Sequence, residues 1–188
     1  KFICKEAATG NLCYWIASRV GSDDASASSA TGDNSARTVD EIVEELRAYV
    51  AGPGAVLNGA LNGATLKVAG VHGQMDENER DAIIAQFAAG KIHILVATTV
   101  IEVGVNVPAA NLMVIDQPDR FGLAQLHQLR GRVGRGDREA WCFLMMPEGD
   151  TADTSMERLS QFSQTEDGFE IAELDLQTRG AGNLEGNE

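Results

Sequence analysis

The stretch Thr65-Leu-Lys-Val-Ala-Gly-Val-His72-Gly-Gln-Met-Asp76-Glu-Asn-Glu-Arg-Asp-Ala-Ile-Ile-Ala-Gln-Phe-Ala-Ala-Gly90-Lys-Ile92-His-Ile-Leu-Val-Ala97 decides the fold. Thr65–Val71 is rich in β-formers and predicts a strand. Asp76 has the short acceptor side chain of an N-cap, and Gly90 can close a helix in the left-handed conformation, so a helix is expected to run to about Ala89. Ile92–Ala97 is a nearly unbroken apolar run, as expected of a parallel strand covered on both faces. Strand, helix and strand in that order make a right-handed crossover unit of a parallel sheet.

The same alternation extends in both directions. Upstream, Leu12–Val20 predicts a first buried strand. Gly21–Arg37 is small, polar and aperiodic, and reads as a dispensable loop. Thr38 followed three residues later by Glu41 is a capping box, and Ile42, Val43, Leu46 and Val50 give the helix behind it an apolar stripe. Ala51–Ala64, rich in Gly, Ala and Asn, reads as another loop. Downstream, Leu112–Ile115 and Ala140–Met146 are further strands, with a helix starting at Leu123 between them. After Pro147 only helices follow, Met156–Gln164 and Phe169–Arg179. In the second of these, Phe169, Ile171, Ala172, Leu174 and Leu176 are expected to dock. The predicted architecture is an α/β domain over residues 1–150, a parallel sheet with flanking helices. A helical hairpin over 151–188 follows it.

Composition narrows the function. A formal net charge of -13 argues against a freestanding DNA-binding module, whose footprint is usually basic. Aromatic residues are only 5% of the chain, so Ala, Val, Ile and Leu must build the core. Cys4, Cys13 and Cys142 form no C-x-x-C pair and read as buried small side chains in a reducing compartment. No run approaches a membrane span and no signal-peptide pattern opens the chain, so the expected location is the cytoplasm. The start at Lys1 and the Gly-rich close at Gly186-Asn187-Glu188 read as those of a fragment.

Against this acidic background, five of the fifteen basic residues fall between Arg120 and Arg138. Arginine presents several donors in a fixed planar fork, which suits phosphate oxygens. A short basic cluster in an acidic chain implies a specific polyphosphate contact. The local reading is an amphipathic helix with Leu123, Leu126 and Leu129 inward, then a glycine-rich turn through Gly131, Gly134 and Gly136. Thr98 and Thr99 end an apolar strand, where hydroxyls and freed amides can hold a nucleic-acid phosphate. His72 stands at the end of another strand. No G-x-x-x-x-G-K-[ST] phosphate loop is present, since Gly90-Lys91 lacks its other elements. Asp40-Glu41 and Asp76-Glu77 sit at helix starts and not after apolar strands. Neither pair is a good Mg²⁺ ligand, and no zinc spacing appears.

The string Gln128-Leu-Arg-Gly-Arg132-Val-Gly-Arg135 resembles motif VI of superfamily 2 helicases, Q-x-x-G-R-x-x-R. The longer string Phe121–Gly136 resembles two bacterial families, the RecG branch-migration helicases and the Mfd transcription-repair coupling translocases. Thr98-Thr-Val-Ile-Glu102-Val-Gly104-Val-Asn106-Val-Pro108 is similar to motif V of RecG, with Asn106 where many members carry Asp. V-H-G-x-M at His72 is similar to the corresponding RecG segment. Asp167–Gly180 resembles the start of the translocation motif common to both families.

The resemblance implies the second RecA-like motor domain of a RecG-type helicase, with Mfd as the alternative. A non-catalytic helicase-like interaction domain is the alternative from another class. It implies that Arg132 and Arg135 face the γ-phosphate of ATP across a domain cleft, and that Gln128 links the nucleotide and nucleic-acid sites. Gly104 and Asn106 would lie on the nucleotide side, with Asn106 able to contact ribose. Thr98, Thr99, His72 and Arg179 would serve DNA binding or coupling. Arg130, outside the signature pair, is expected to be structural. ATP and Mg²⁺ would sit on an absent first RecA-like domain, with no metal site here. A DNA-binding wedge domain and branched or forked double-stranded DNA complete the implied partners, and the isolated chain is expected to be inactive.

Overall fold

The computed structural model describes residues 2–18, 37–52, 66–98, 107–135, 138–146 and 153–179. The expected loops therefore lie outside the described residues, apart from Arg37, Ala51 and Gly52 at their ends. So do Thr99–Asn106 and everything from Gly180 onward.

Five strands form one parallel sheet: β1 (Leu12–Ala17), β2 (Val68–Val71), β3 (Ile94–Thr98), β4 (Ala110–Asp116) and β5 (Trp141–Met145). They lie side by side in the order β2-β3-β1-β4-β5. The register pairs Val71 with Ala97, Ala17 with Thr98 and Ile16 with Ile115. The alternation of side chains across a pleated strand splits the core in two. Tyr14, Ile16, Leu95, Ala97, Met113 and Ile115 face one side. Cys13, Trp15, Ile94, Val96, Leu112 and Val114 face the other. Both faces are covered, as the apolar runs required.

The second face is covered by α1 (Phe2–Ala8), which sequence reading did not anticipate, and by α2 (Val39–Ala51). The capping box of α2 is formed: Glu41 N donates to the Thr38 hydroxyl, and Thr38 N donates to the Glu41 carboxylate. Gly70 lets α2 pack directly on β2. A Cβ there would lie 2.8 Å from Val39 Cγ1 and 2.9 Å from Val43 Cγ2.

The first face is covered by α3 (Glu77–Ala88), α4 (Leu123–Arg130), α5 (Asp153–Gln164) and α6 (Gly168–Arg179). Asp76 caps α3 through Asn78 N and Glu79 N, and Gly90 takes φ +71 beyond its end. A 3₁₀ turn, Pro118–Arg120, leads from β4 toward α4. Of the five apolar residues expected to dock, Ile171 alone is fully buried and Leu174 packs partly, whereas Phe169 is 89% and Leu176 66% exposed. The expectation that all five apolar residues dock is thus corrected. Residues 171 and 174 share one side of a helix of 3.6 residues per turn, and residues 169, 172 and 176 share another. The three cysteines are free, with Cys4 and Cys13 buried and Cys142 only half-buried. Among the described residues no helix is long and apolar enough to cross a membrane.

Candidate functional site

The arginine cluster is built on α4. Leu123, Leu126 and Leu129 are buried at spacings of three and fix the helix on the sheet. Gly122 gives α4 no side-chain cap. The cap is borrowed from α6, whose Asp175 Oδ1 accepts from Leu123 N at 3.3 Å. A carboxylate there also suits the positive end of the helix dipole. At the other end, Gly131 N bonds to His127 O at 3.0 Å, Arg132 N to Leu129 O at 2.9 Å and Val133 N to Arg130 O at 3.3 Å. Gly134 at φ +76 then turns the chain, where a Cβ would meet that of Ala140 at 2.9 Å.

This turn sends the three arginines to different places. Arg130 points inward to the corner between α5 and α6. It donates to Phe162 O at 3.2 Å and Thr165 O at 2.8 Å, and its guanidinium lies 4.5 Å from the centroid of the Phe162 ring. His127 Nδ1 is 3.2 Å from its Nη2. The structural role expected for Arg130 is what the geometry shows. Arg135 is exposed, and its Nε donates to Gly131 O at 3.1 Å. Arg132 is half-buried, and Gln128 is exposed on α4.

Tyr14 of β1 belongs to the same core cluster as Leu126 and Leu129 of α4, 7% exposed, with its ring 4.9 Å from that of Phe87. Burial pushes its phenol up, and the nearby positive charges of Arg132 and Arg135 pull it back down. Val133, between the two arginines, packs against the face of the sheet that carries Tyr14. The guanidinium donors of the two arginines are the chemistry a polyphosphate needs.

A second set gathers at the carboxyl ends of the strands, where open α/β sheets bind ligands. Thr98 ends β3 and His72 follows β2, so both lie at the same end of neighbouring strands. Thr98 is 4% exposed, and among the described residues its hydroxyl has no hydrogen-bond partner. His72 Nδ1 is likewise unpartnered, while His72 O accepts from Met75 N at 3.2 Å. Thr99, Gly104 and Asn106 lie outside the described residues. Arg179 is the last residue of α6.

Sequence reading missed three participants. Asp175 carried no signal beyond a carboxylate in a helix. Tyr14 carried none beyond a phenol in an apolar strand. Asp116 carried one, because it directly ends the apolar run of β4. It is 4% exposed and ion-pairs with Arg37 at 3.2 Å. Burial raises its carboxyl, and Arg37 opposes that. Among the described residues no cluster of three or more His, Cys, Asp or Glu could hold a metal.

Comparison with known proteins places this geometry. Residues 54–137 match the family model "Helicase conserved C-terminal domain". The chain is 58% identical over 116 residues to the ATP-dependent DNA helicase RecG of Thermotoga maritima, covering 62% of this chain and 15% of that protein. The RecG of Escherichia coli is 52% identical over 121 residues, covering 64% of this chain and 17% of the relative. Among solved structures, a RecG bound to a three-way DNA junction superposes with a TM-score of 0.66 at 40% identity, covering 96% of this chain and 20% of that one. The helicase Lhr of Mycobacterium smegmatis, bound to single-stranded DNA and AMP-PNP, superposes at 0.55 and 16% identity, covering 86% and 18%. That second likeness is one of fold, a RecA-like helicase C-terminal domain.

Proposed function

We propose that the chain is the C-terminal RecA-like domain of a RecG-type ATP-dependent DNA helicase, the second motor domain of a branch-migrating enzyme. It spans 15–17% of the length of the RecG proteins compared above, so the rest of the motor is sought outside it. The observation that carries the reading is the parting of the arginines. Arg130 is bound to carbonyls inside, while just beyond the end of α4 Arg132 is half-buried and Arg135 is exposed.

In this reading Arg132 and Arg135 are arginine fingers, and Gln128 on the helix just before them lies between the nucleotide and nucleic-acid sides. Their donor set fits a triphosphate held by a first RecA-like domain, with Mg²⁺ held there too. ATP supplies the phosphoryl group whose transfer drives the motor. The guanidinium groups stabilise the charge on its oxygens, a contribution worth about 10³–10⁵ in rate, or roughly 4–7 kcal/mol. Gly104 and Asn106 would approach the nucleotide. His72, Thr98 and Thr99 would meet DNA at the strand ends, where among the described residues His72 Nδ1 and the Thr98 hydroxyl have no hydrogen-bond partner. Arg179 would couple closure to movement. A wedge-bearing domain of the same polypeptide would hold branched or forked double-stranded DNA, as the junction-bound RecG supports. The enzyme would act in the cytoplasm in fork regression and recombination.

The test is made on the full-length protein with forked DNA. Arg135→Lys keeps the charge but loses the planar fork, so hydrolysis should nearly vanish while DNA binding persists. Arg179→Ala should keep much of the hydrolysis and lose unwinding. The isolated chain should release no phosphate in response to DNA. Wild-type hydrolysis in Arg135→Lys, or DNA-stimulated turnover by the isolated chain, would overturn the reading.

A further inference from the structure

We propose that Gln117, outside the Q-x-x-G-R-x-x-R string, is a positioning residue that ties the carboxyl ends of the central strands to the arginine-bearing helix. The proposal rests on the functional reading above. Gln117 is 4% exposed, and among the described residues it alone without being glycine adopts a positive φ, at 52°. Side chains rarely tolerate that left-handed conformation, and residues held in it gather where the surrounding structure over-determines them.

Three elements meet at this residue. Gln117 Oε1 accepts from Ser18 Oγ, just after β1, at 3.1 Å and from Arg37 N, just before α2, at 3.4 Å. Gln117 N donates to Met145 O at the end of β5, at 2.9 Å. The neighbouring Asp116 holds the Arg37 guanidinium. On the other side, Gln117 O accepts from Arg120 N at 3.1 Å and closes the 3₁₀ turn. That turn is steadied by Arg158 of α5, whose Nη2 donates to Asp119 O at 3.0 Å. Only Phe121 and Gly122 separate the turn from α4, which carries Gln128 and leads into the segment of Arg132 and Arg135.

Ser18 and Thr98 lie at the same end of the neighbouring strands β1 and β3, since Ala17 and Thr98 are in register. A shift of Ser18 or Arg37 when DNA is engaged is thereby handed, through one amide and one fixed backbone kink, to the launch of α4. Coupling of this kind is read by DNA-stimulated hydrolysis together with amide exchange on α4.

Gln117→Met keeps the bulk and loses the acceptor, while Gln117→Glu keeps the acceptor. In the full-length protein Gln117→Met should lower DNA-stimulated kcat about tenfold, the weight of a buried hydrogen bond that counts in the transition state, with KM for ATP and forked-DNA affinity nearly unchanged. Gln117→Glu should restore most of the stimulation. Amide exchange over 123–133 should quicken in Gln117→Met and not in Gln117→Glu. Wild-type stimulation in Gln117→Met, or equal loss in both variants, overturns the proposal. An Arg135→Ala control that still hydrolyses ATP would sink the functional reading instead. Exchange over 123–133 would then decide the positioning role alone, unchanged rates refuting it.

Discussion

Replacing Arg130 with alanine should destabilise the domain, although Arg130 lies inside the motif that the proposed chemistry uses. The guanidinium donates to two main-chain carbonyls at 2.8 and 3.2 Å and lies over the Phe162 ring. A hydrogen bond from a charged donor contributes about 1.5–3 kcal/mol net, and a half-buried cation over a ring about 0.5–1 kcal/mol. The side chain is only half-buried and the contacts share one group, so solvent screening and non-additivity bring the expected loss to about 2–4 kcal/mol. For a domain of this size that is a fall in Tm of roughly 5–15 °C. Arg135, exposed and bonded only to the local Gly131 carbonyl among the contacts described above, should cost under about 0.5 kcal/mol as alanine. Urea and thermal unfolding of the chain, followed by tryptophan fluorescence, measure both. An Arg130→Ala variant as stable as wild type, or an Arg135→Ala variant that is the less stable of the two, would refute the inward and outward assignment.

Asp175→Ala removes the side-chain cap of α4 and should cost about 1 kcal/mol, with faster amide exchange at Leu123. Exchange unchanged at Leu123 would mean that the cap is idle. Gly70→Ala should cost about 1–3 kcal/mol by overpacking Val39 and Val43, and a neutral result in urea unfolding would show that α2 can retreat. His93 Nδ1 accepts from Lys67 N at 3.0 Å, and burial followed by the Lys67 charge lowers its pKa from 6.5. A histidine held neutral contributes stability that is present above pH 6.5 and lost as pH falls below it. His93→Asn keeps an acceptor without titrating, so its urea midpoint should change less than that of wild type below pH 6.5. Parallel pH curves for the two proteins would contradict this.

Local chemistry was legible in the sequence and distant pairing was not. Thr38 with Glu41, Asp76 and Gly90 act on backbone within a few residues, and each stands where its pattern placed it. The stripe of Leu123, Leu126 and Leu129 needed only helical spacing. The short α1 escaped notice because seven residues give too little period to read. In α6 the apolar residues run round the helix, so composition could not say that Ile171 turns inward and Phe169 outward. The partners of Arg130, Asp175, Asp116 and Gln117 are set by tertiary packing, across 32 to 52 residues for the first two. No motif spacing encodes those pairs.

The borrowed cap of α4 also has a consequence for the order in which the protein is made. When the ribosome has released residues 123–135, the helix that carries the motif has neither Asp175 at its head nor the Phe162 and Thr165 carbonyls that receive Arg130. Those partners emerge 52, 32 and 35 residues later. During synthesis the sheet can form its β1 to β4 pairings first, with α4 left to fray until the last two helices leave the tunnel. A nascent chain stalled before Thr165 would hold the complete arginine motif in its sequence without the contacts that fix Arg130 in place.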